Sequence, residues 1–364
     1  MRSTIQILHK YLSLCVVALW LLQAVTGVLL VFHWELDDWS VRGGAGPLEP
    51  AAFSRALDAM ARSGPARQLS GVYPSAGRAG RFDVLLDRSD GRTDILRVDG
   101  QGRVLRQRPG NYDWPHIGVF QIATYLHQTL FAHNLGRWFI GLSGLLLLTN
   151  LGMGLTLAWP RRGGWRKALL PTRAARAPMT VHGWHRALGL WFAWPALVII
   201  AAGAIMAFET PLSDWFTDTR APPAAKAAAA EPMAARSITA ATAIVAAERA
   251  YPNAPLSVLE PPAANAPWWK VSVRQRGEWR RFDGTTTLYV SSRSGRLLAN
   301  YDALRAPLKT RFWDSLYAIH TGEAAGVVGR WISVLIGVCL ASLCALGLCL
   351  WWLRRPRPQP QSHS

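Results

Sequence analysis

The fold of this chain follows from two matching stretches, HKYLSLCVVALWLLQAVTGVLLVF at residues 9–32 and HRALGLWFAWPALVIIAAGAIMAF at residues 185–208. Each begins with a histidine and a cation and continues as an apolar run, with a glycine 18 residues after the histidine. About 20 helical residues cross the ~30 Å of hydrocarbon in a bilayer. Each stretch therefore predicts a membrane-spanning helix, and the match between them predicts a chain built from a repeated unit.

Four apolar runs are long enough to span a bilayer: Tyr11–Phe32, Trp138–Trp159, Ala187–Phe208 and Trp331–Leu353. Tryptophans at their ends are typical of the membrane interface. The first run is longer than the roughly 7–15 apolar residues of a signal peptide and lacks an A-x-A site, so we expect an uncleaved anchor. The four cysteines all stand inside these runs, and we interpret them as packing residues.

The net charge of +18 is distributed in the way that membrane topology requires. All 22 acidic residues lie within residues 35–113 or 209–323, whereas residues 161–186 and 354–364 contain arginine or lysine and no acid. The positive-inside rule then makes both termini and the basic loop cytoplasmic. We expect a multi-pass membrane protein whose two long segments lie on the other side of the membrane, which in a bacterium is the periplasm. No nucleic-acid partner is expected, because that would need a basic stripe on a folded surface.

The chain thus divides into eight segments. They are span 1 (residues 1–33), outer domain 1 (34–133), span 2 (134–160), the basic loop (161–186), span 3 (187–208), outer domain 2 (209–330), span 4 (331–353) and the tail (354–364). The predicted fold class is a membrane α-helical protein, a four-helix transmembrane bundle from a duplicated two-span unit with two extracytoplasmic α+β domains.

Each outer segment has a pattern of one helix followed by strands. The alanine- and proline-rich stretch Ala221–Ala235 is interpreted as a linker. The predicted helices are Ala51–Ala61 and Ile238–Ala250, and the predicted strands are Arg81–Leu86, Thr93–Val98, Trp268–Arg274 and Thr287–Val290.

The internal repeat also sorts the nine histidines. His9 matches His185 at the start of the two apolar runs. His127 matches His320, because each of these two stands 10 residues before the arginine of a Gly-Arg-Trp motif. A parallel repeat relates its halves by an axis along the membrane normal, so matching residues meet across that axis. Two facing imidazoles are what bis-histidine ligation of haem requires. The histidines without a histidine counterpart are His33, His116, His133, His182 and His363.

Simpler interpretations of the four paired histidines stay open at this point. His9 and His185 could anchor helix ends, and His127 and His320 could be solvated surface residues. His182, three residues before His185, is a rival ligand at the inner side, and His33 and His133 are rivals at the outer side. The candidate contacts for haem propionates are Lys10, Arg186, Arg137 and Arg330.

No other cofactor chemistry has a comparable pattern in the sequence. HExxH, clustered cysteines and a P-loop are missing, and CxxCH, which would attach haem covalently, is missing too. The sequence therefore predicts two non-covalent haem b groups, with iron held by His9, His185, His127 and His320.

Taken in order, these motifs resemble the PepSY-associated transmembrane family of bacterial inner-membrane proteins. The resemblance rests on His9-Lys, Thr26-Gly27, Leu126-His127 and His185-Arg, and on Ile319-His320-Thr-Gly before Gly329-Arg330. It covers nearly the whole chain and implies PepSY-like outer domains. One departure is Ala202-Gly203 where the first half has Thr26-Gly27, and we expect this site to lie away from the ligands.

The resemblance implies a di-haem reductase that reduces a periplasmic ferric chelate, in characterised relatives a ferric siderophore, and releases Fe(II). The electron donor would be cytoplasmic or a quinol, and membrane lipid is the other partner. Outer arginines such as Arg274, Arg276, Arg280 and Arg281 could attract an anionic chelate. The alternative is a non-enzymatic PepSY membrane binding or regulatory module that restrains or senses a peptidase.

Overall fold

The structure is a computed structural model that describes residues 2–64, 67–110, 118–160, 163–171, 174–217 and 237–355. His116, His363 and the predicted linker Ala221–Ala235 lie outside these residues. The helices are α1 (Arg2–Leu30), α2 (His33–Trp39), α3 (Pro50–Arg62), α4 (Val119–Gln128), α5 (His133–Ala158), α6 (Trp165–Leu169), α7 (Ala177–Ala207), α8 (Glu209–Thr217), α9 (Ala240–Ala250), α10 (Leu308–Thr321) and α11 (Gly326–Leu353). The strands are β1 (Arg67–Pro74), β2 (Arg81–Arg88), β3 (Thr93–Asp99), β4 (Val104–Pro109), β5 (Leu256–Glu260), β6 (Trp268–Val273), β7 (Thr286–Ser291) and β8 (Leu297–Tyr301).

Four helices, α1, α5, α7 and α11, are long and apolar enough to cross a membrane. They contain most of each predicted span but begin earlier, α1 at Arg2 and α7 at Ala177. A helix continues through polar turns because its backbone hydrogen bonds do not depend on apolar side chains. Large apolar side chains such as Leu142 and Val338 are exposed on these helices. The chain is therefore a multi-pass membrane protein whose four helices contact lipid.

The four long helices form a bundle in which α1 and α7 each pack against both α5 and α11. This places α1 and α7 diagonally opposite each other, with α5 and α11 on the other diagonal. The two short helices α4 and α10 pack on α1 and α7, respectively. Each proposed outer histidine therefore sits on a short helix that leans against a diagonal helix.

The strands of both outer segments form one eight-stranded sheet in the order β4-β3-β2-β1-β5-β6-β7-β8. All strand pairs are antiparallel, and the two segments meet where β1 pairs with β5, with Val72 opposite Leu259. The structure thus joins residues 34–133 and 209–330 into one unit where the sequence predicts two domains. Pairing β1 with β5 covers the two strand edges that separate domains would leave exposed.

One hydrophobic core serves the whole sheet. Helices α3 and α9 pack against each other and lie on the same face of the sheet. Their buried side chains include Phe53, Leu57 and Ile244. Five strand residues beneath these helices are fully buried: Val72, Val84, Leu259, Val271 and Leu288.

Charged groups attach the start of the first outer segment to the sheet. Buried Arg81 donates to Asp38 Oδ1 at 2.9 Å and to four backbone carbonyl oxygens of residues 38–44. Arg97 donates to both oxygens of Asp83 at 2.8 Å and to Asp37 at 2.8 Å. Burial disfavours the Arg97 cation, but these carboxylates outweigh it and raise the pKa of Arg97. Because Asp37 and Asp38 lie on α2, this network fixes the outer end of α1 beneath the first-half strands.

We predict that Leu259→Ala destabilises both halves of the sheet. Removing a fully buried leucine side chain costs about 2–5 kcal/mol, and Leu259 sits at the junction of β1 and β5. Amide hydrogen exchange should therefore accelerate in β2 and β3 as well as in β6 and β7. Val104→Ala on edge strand β4, where the side chain is 51% exposed, is the control. Faster exchange confined to β5–β8 would contradict a shared core.

Candidate functional site

The inner pair consists of His9 on α1 and His185 on α7. Their ring centroids lie 6.4 Å apart, with the ring planes at 66°. The two residues come from diagonally opposite helices, so their side chains meet within the bundle. The structure brings together the two histidines that the repeat pairs.

The outer pair consists of His127 on α4 and His320 on α10. Their ring centroids lie 6.0 Å apart, with the ring planes at 39°. Burial, together with the neighbouring His320 ring, lowers the pKa of His127 to about 4. Burial also lowers the pKa of His320. Both imidazoles are therefore neutral at pH 7, the form that offers a nitrogen lone pair to a metal.

The separation within each pair matches two imidazoles that share one metal ion. Imidazole nitrogens bind metal ions at about 2.0–2.1 Å, so two rings ligating one ion in line have centroids roughly 6 Å apart. Among the described residues, no group of three or more His, Cys, Asp or Glu could hold a metal ion. Two facing ligands with no third protein donor suit a metal whose remaining positions are filled by a macrocycle.

A glycine of a neighbouring helix lies against each of the four rings. A Cβ built on Gly27 would lie 3.1 Å from Cε1 of His127, and one on Gly203 would lie 2.6 Å from Cε1 of His320. The corresponding distances are 3.1 Å from Gly154 to His9 and 3.7 Å from Gly347 to His185. Gly27 matches Gly203 in the repeat, and Gly154 matches Gly347. The missing side chains leave the space that the imidazoles occupy.

Hydrogen bonds determine which ring nitrogen is free to bind a metal. Nδ1 of His320 lies 2.9 Å from the carbonyl oxygen of Ile199, and Nδ1 of His9 lies 3.2 Å from that of Asn150. A carbonyl oxygen only accepts, so Nδ1 carries the proton in both rings. Nε2 is then the unprotonated nitrogen. Metal-ligating histidines commonly donate their other ring N–H in this way.

His127 reaches the same state through a side chain. Its Nδ1 lies 3.1 Å from the hydroxyl of Thr26, which donates its own proton to the carbonyl oxygen of Leu22 at 2.7 Å. The hydroxyl must therefore accept from His127, and Nε2 is again free. The expectation that the Thr26/Ala202 difference lies away from the ligands is wrong, because α4 leans on α1 at this turn and brings the ring to Thr26.

The first half of the chain holds its histidines with more polar groups than the second half does. Asn150 also donates to Ser13 at 3.0 Å, and Ser13 donates to the carbonyl oxygen of His9 at 2.6 Å. Leu343 stands at the position equivalent to Asn150, so the backbone carbonyl of Leu343 is near His185 but no amide side chain is. Among the described residues, the buried Nδ1 of His185 makes no hydrogen bond of normal geometry. The two rings of a pair therefore have different surroundings although their positions match.

A cavity of about 740 Å³ extends outward from the bundle and includes the outer pair. It begins among bundle residues such as Trp20 and Leu340 and ends beneath the sheet at Arg97 and Arg108. Cofactor sites commonly have volumes of about 300–1,000 Å³. Free Nε2 atoms, glycine-lined rings and this cavity together fit a haem at the outer pair. At the inner pair, His9 also has a free Nε2, and both rings lie against glycines.

The rival histidines occupy different places. His182 and His133 are exposed, and His133 lies at the start of α5. His33 lines the same cavity as His127, but its Nδ1 bonds to the carbonyl oxygen of Leu30 and its ring packs on Trp34. No ring contact joins any of the three to a histidine among the described residues.

The four candidate propionate contacts also differ in their surroundings. Arg137 lines the cavity and has one loose ion pair, 3.9 Å from Glu209. Arg330 does not suit the predicted role, because it is buried and already donates to both oxygens of Glu35, at 2.6 and 2.8 Å. Arg186 donates through Nε to the carbonyl oxygen of Ala158, and exposed Lys10 lies 5.2 Å from the ring of Tyr11.

The two pairs are far apart along the helices. His9 and Gly27 lie on the same helix, 18 residues apart, which corresponds to ~27 Å at 1.5 Å per residue. Trp20 lies between them, 5% exposed, and donates through Nε1 to Ser143 Oγ at 3.1 Å. Along the described lengths of the four long helices, it is the only buried tryptophan.

Sequence reasoning missed several residues of this site. Asn150 carries a visible signal, since it is an amide inside an apolar span. Gly154 and Gly347 could have been found as matching glycines in the repeat. Arg108 carries no signal in the sequence, because its approach to the cavity depends on how the sheet sits over the bundle.

We predict that Gly203→Ala weakens haem retention at the outer pair by about tenfold or more, a typical effect of disturbing a ligand's support. The new methyl group would lie 2.6–2.8 Å from two ring atoms of His320 and displace the ring. Gly189→Ala on the same helix is the control, since no atom lies within 4 Å of its added Cβ. Pyridine haemochrome content per chain is the measurement. Equal content in the two variants would refute the close contact.

We predict that Thr26→Ala changes the outer pair and that Thr26→Ser does not. Alanine removes the hydroxyl acceptor of the buried Nδ1–H of His127 and leaves only the backbone carbonyl of Gln23 beside the ring. Loss of such a hydrogen bond costs about 0.5–1.5 kcal/mol. Low-temperature EPR and haem content should therefore shift in Thr26→Ala alone. Ala202→Ser at the equivalent position is the matched control, because His320 bonds to Ile199 instead. An unchanged EPR spectrum in Thr26→Ala would mean that Thr26 does not position the ring.

Comparison with protein families agrees with these observations. The family model described as the PepSY-associated TM region matches residues 6–354. Comparison with curated proteins gave no match. The family match contains all four long helices and both histidine pairs, so the resemblance seen in the sequence is confirmed. This chain belongs to the PepSY-associated TM region family.

Proposed function

We propose that this protein is a haem b membrane electron carrier that reduces a ferric chelate, of the siderophore class, on the outer side of the bacterial inner membrane. The observation that carries the proposal is the pairing of His9 with His185 and of His127 with His320. Each pair lies at the separation of two imidazoles sharing a metal. The two pairs lie toward opposite ends of the bundle, as passage of electrons across a membrane requires.

The duplicated arrangement supports this reading. We infer that each half of the chain is one two-span unit with a PepSY-like outer portion, and that the arginine-rich inner segments keep both termini cytoplasmic. The sheet then lies in the periplasm. His9 and His185 lie near the cytoplasmic side, and His127 and His320 near the periplasmic side.

The residues of each pair have a defined task. Haem would supply reversible one-electron chemistry, with a potential set by its axial ligands and surroundings. The acceptors at Nδ1 of His9, His127 and His320 hold these rings with Nε2 available, the glycines allow the rings to lie against the helices, and the apolar bundle excludes water. Trp20 places an aromatic side chain between the two pairs.

Reduction of the iron would be sufficient to release it from a chelate. Siderophore oxygen donors are hard ligands, which hold Fe(III) far better than Fe(II). The donor on the inner side would be a cytoplasmic reductant or a quinol. The protein's contribution would be to bind the haem groups, to orient the histidine rings and to exclude water from the bundle.

We predict two haem b per chain in the purified protein, with separable spectral signatures. His9→Ala or His185→Ala should remove one signature, and His127→Ala or His320→Ala the other, because each variant leaves one axial ligand. Pyridine haemochrome content and dithionite-reduced spectra are the measurements. His133→Ala, which changes an exposed histidine, is the control and should retain both.

Reoxidation of the reduced protein by a ferric chelate tests the reaction itself. The reduced Soret band should return to its oxidised position as Fe(II) appears. A protein that stays colourless after expression with ample haem would remove the redox function and favour the binding or regulatory module. A coloured protein whose reduced band persists with ferric chelates would be an electron carrier with another acceptor.

A further inference from the structure

At the outer end of the cavity, all of the lining strand residues come from the first half of the chain. The cavity's polar groups beneath the sheet are Asp37, Asp83, Arg97, Arg108, Arg137 and Glu209, and we call this set the outer vestibule. The strand residues that line the cavity lie on β1, β2 and β3, with Arg108 at the end of β4. Among the described residues, none from β5–β8 lines it.

On the other side of the junction between sheet and bundle, residues of the second half form an ion-pair network with Glu35, in which Arg330 and Glu323 are buried. Glu35 accepts from Arg330 and Arg281, and the backbone N–H of Arg281 donates to Glu323 at 3.1 Å. The guanidinium of Arg280 lies 5.0 Å from the ring of Tyr317. Arg281 therefore links the sheet to Glu35, and Arg280 packs on Tyr317, so neither arginine lines the cavity.

The repeated arginine of the second half is buried and tightly paired, whereas that of the first half is exposed and loosely paired. Arg330 is 2% exposed and bonds to both oxygens of Glu35, whereas its repeat counterpart Arg137 is 39% exposed and only 3.9 Å from Glu209. Arg108 is 37% exposed, at 3.6 Å from Asp83 and 4.0 Å from Asp37. Those two carboxylates bond more closely to Arg97 and Arg106. Arg108 and Arg137 thus keep guanidinium donors that the protein does not fully use.

We propose that the outer vestibule is the docking site of the electron acceptor, and that Arg108 and Arg137 receive carboxylate oxygens of an anionic Fe(III) chelate. This inference rests on the proposed function for the role of the bound chelate. Planar guanidinium groups bind carboxylates through paired hydrogen bonds. The cavity that these arginines line continues to His127 and His320, so a chelate docked there lies on the outer side of that pair.

Gallium(III) citrate is the probe, because Ga(III) has the charge and size of Fe(III) but accepts no electron under these conditions. Isothermal titration of the full-length protein in detergent should show binding that weakens as salt is raised. Arg108→Gln and Arg137→Gln should each weaken it by about tenfold, the typical loss of a charged hydrogen bond. Arg296→Gln, which changes an exposed arginine on the second half that does not line the cavity, is the matched control and should bind as the unaltered protein does.

Haem content measured on the same samples separates the possible outcomes. Absence of gallium citrate binding, or equal binding in all variants, would overturn the docking site. Loss of haem in Arg108→Gln or Arg137→Gln with citrate binding unchanged would also overturn it and assign the arginines to the haem propionates. A colourless protein that binds gallium citrate through both arginines would support the docking site while the proposed function fails.

Discussion

The close packing of imidazole rings on glycine backbones is the constraint on which the rest of the molecule depends. Three of the four histidines lie so near a helix backbone that a Cβ at Gly27, Gly154 or Gly203 would crowd the ring, and the fourth, His185, lies in ordinary contact range of Gly347. These contacts set how near α4 lies to α1 and α10 to α7. They also fix the rings at the separation that one metal ion between them would need.

Burying polar rings among apolar helices carries a cost unless each N–H finds an acceptor. The protein meets this requirement with backbone carbonyl oxygens for His9 and His320 and with the hydroxyl of Thr26 for His127. In each case the acceptor occupies Nδ1 and leaves Nε2 available. The same hydrogen bonds that reduce the cost of burial therefore prepare the rings as ligands.

Departures from symmetry give the two halves different tasks. At one side of the junction between sheet and bundle, Arg281 and buried Arg330 of the second half bind Glu35 of the first half. The first half attaches α2 to the strands through Arg81 and Arg97 and leaves a cavity bordered by loosely paired arginines. A tight ion-pair network on one side can hold the sheet in place while the other side stays accessible to a ligand.

The sequence by itself determined the four membrane helices, the pairing of His9 with His185 and of His127 with His320, and membership of the family. The length of an apolar run and the spacing of repeated motifs can be recognised in the sequence without knowing how the helices pack. Only the tertiary structure decided that both outer segments share one sheet, that Thr26 touches a ligand, and that Arg330 is occupied by Glu35 while Arg108 borders the cavity. Those features depend on contacts between residues that are far apart in the chain, such as Thr26 and His127, which are 101 residues apart. Such contacts are decided by how the helices and the sheet pack, and no local sequence pattern indicates them.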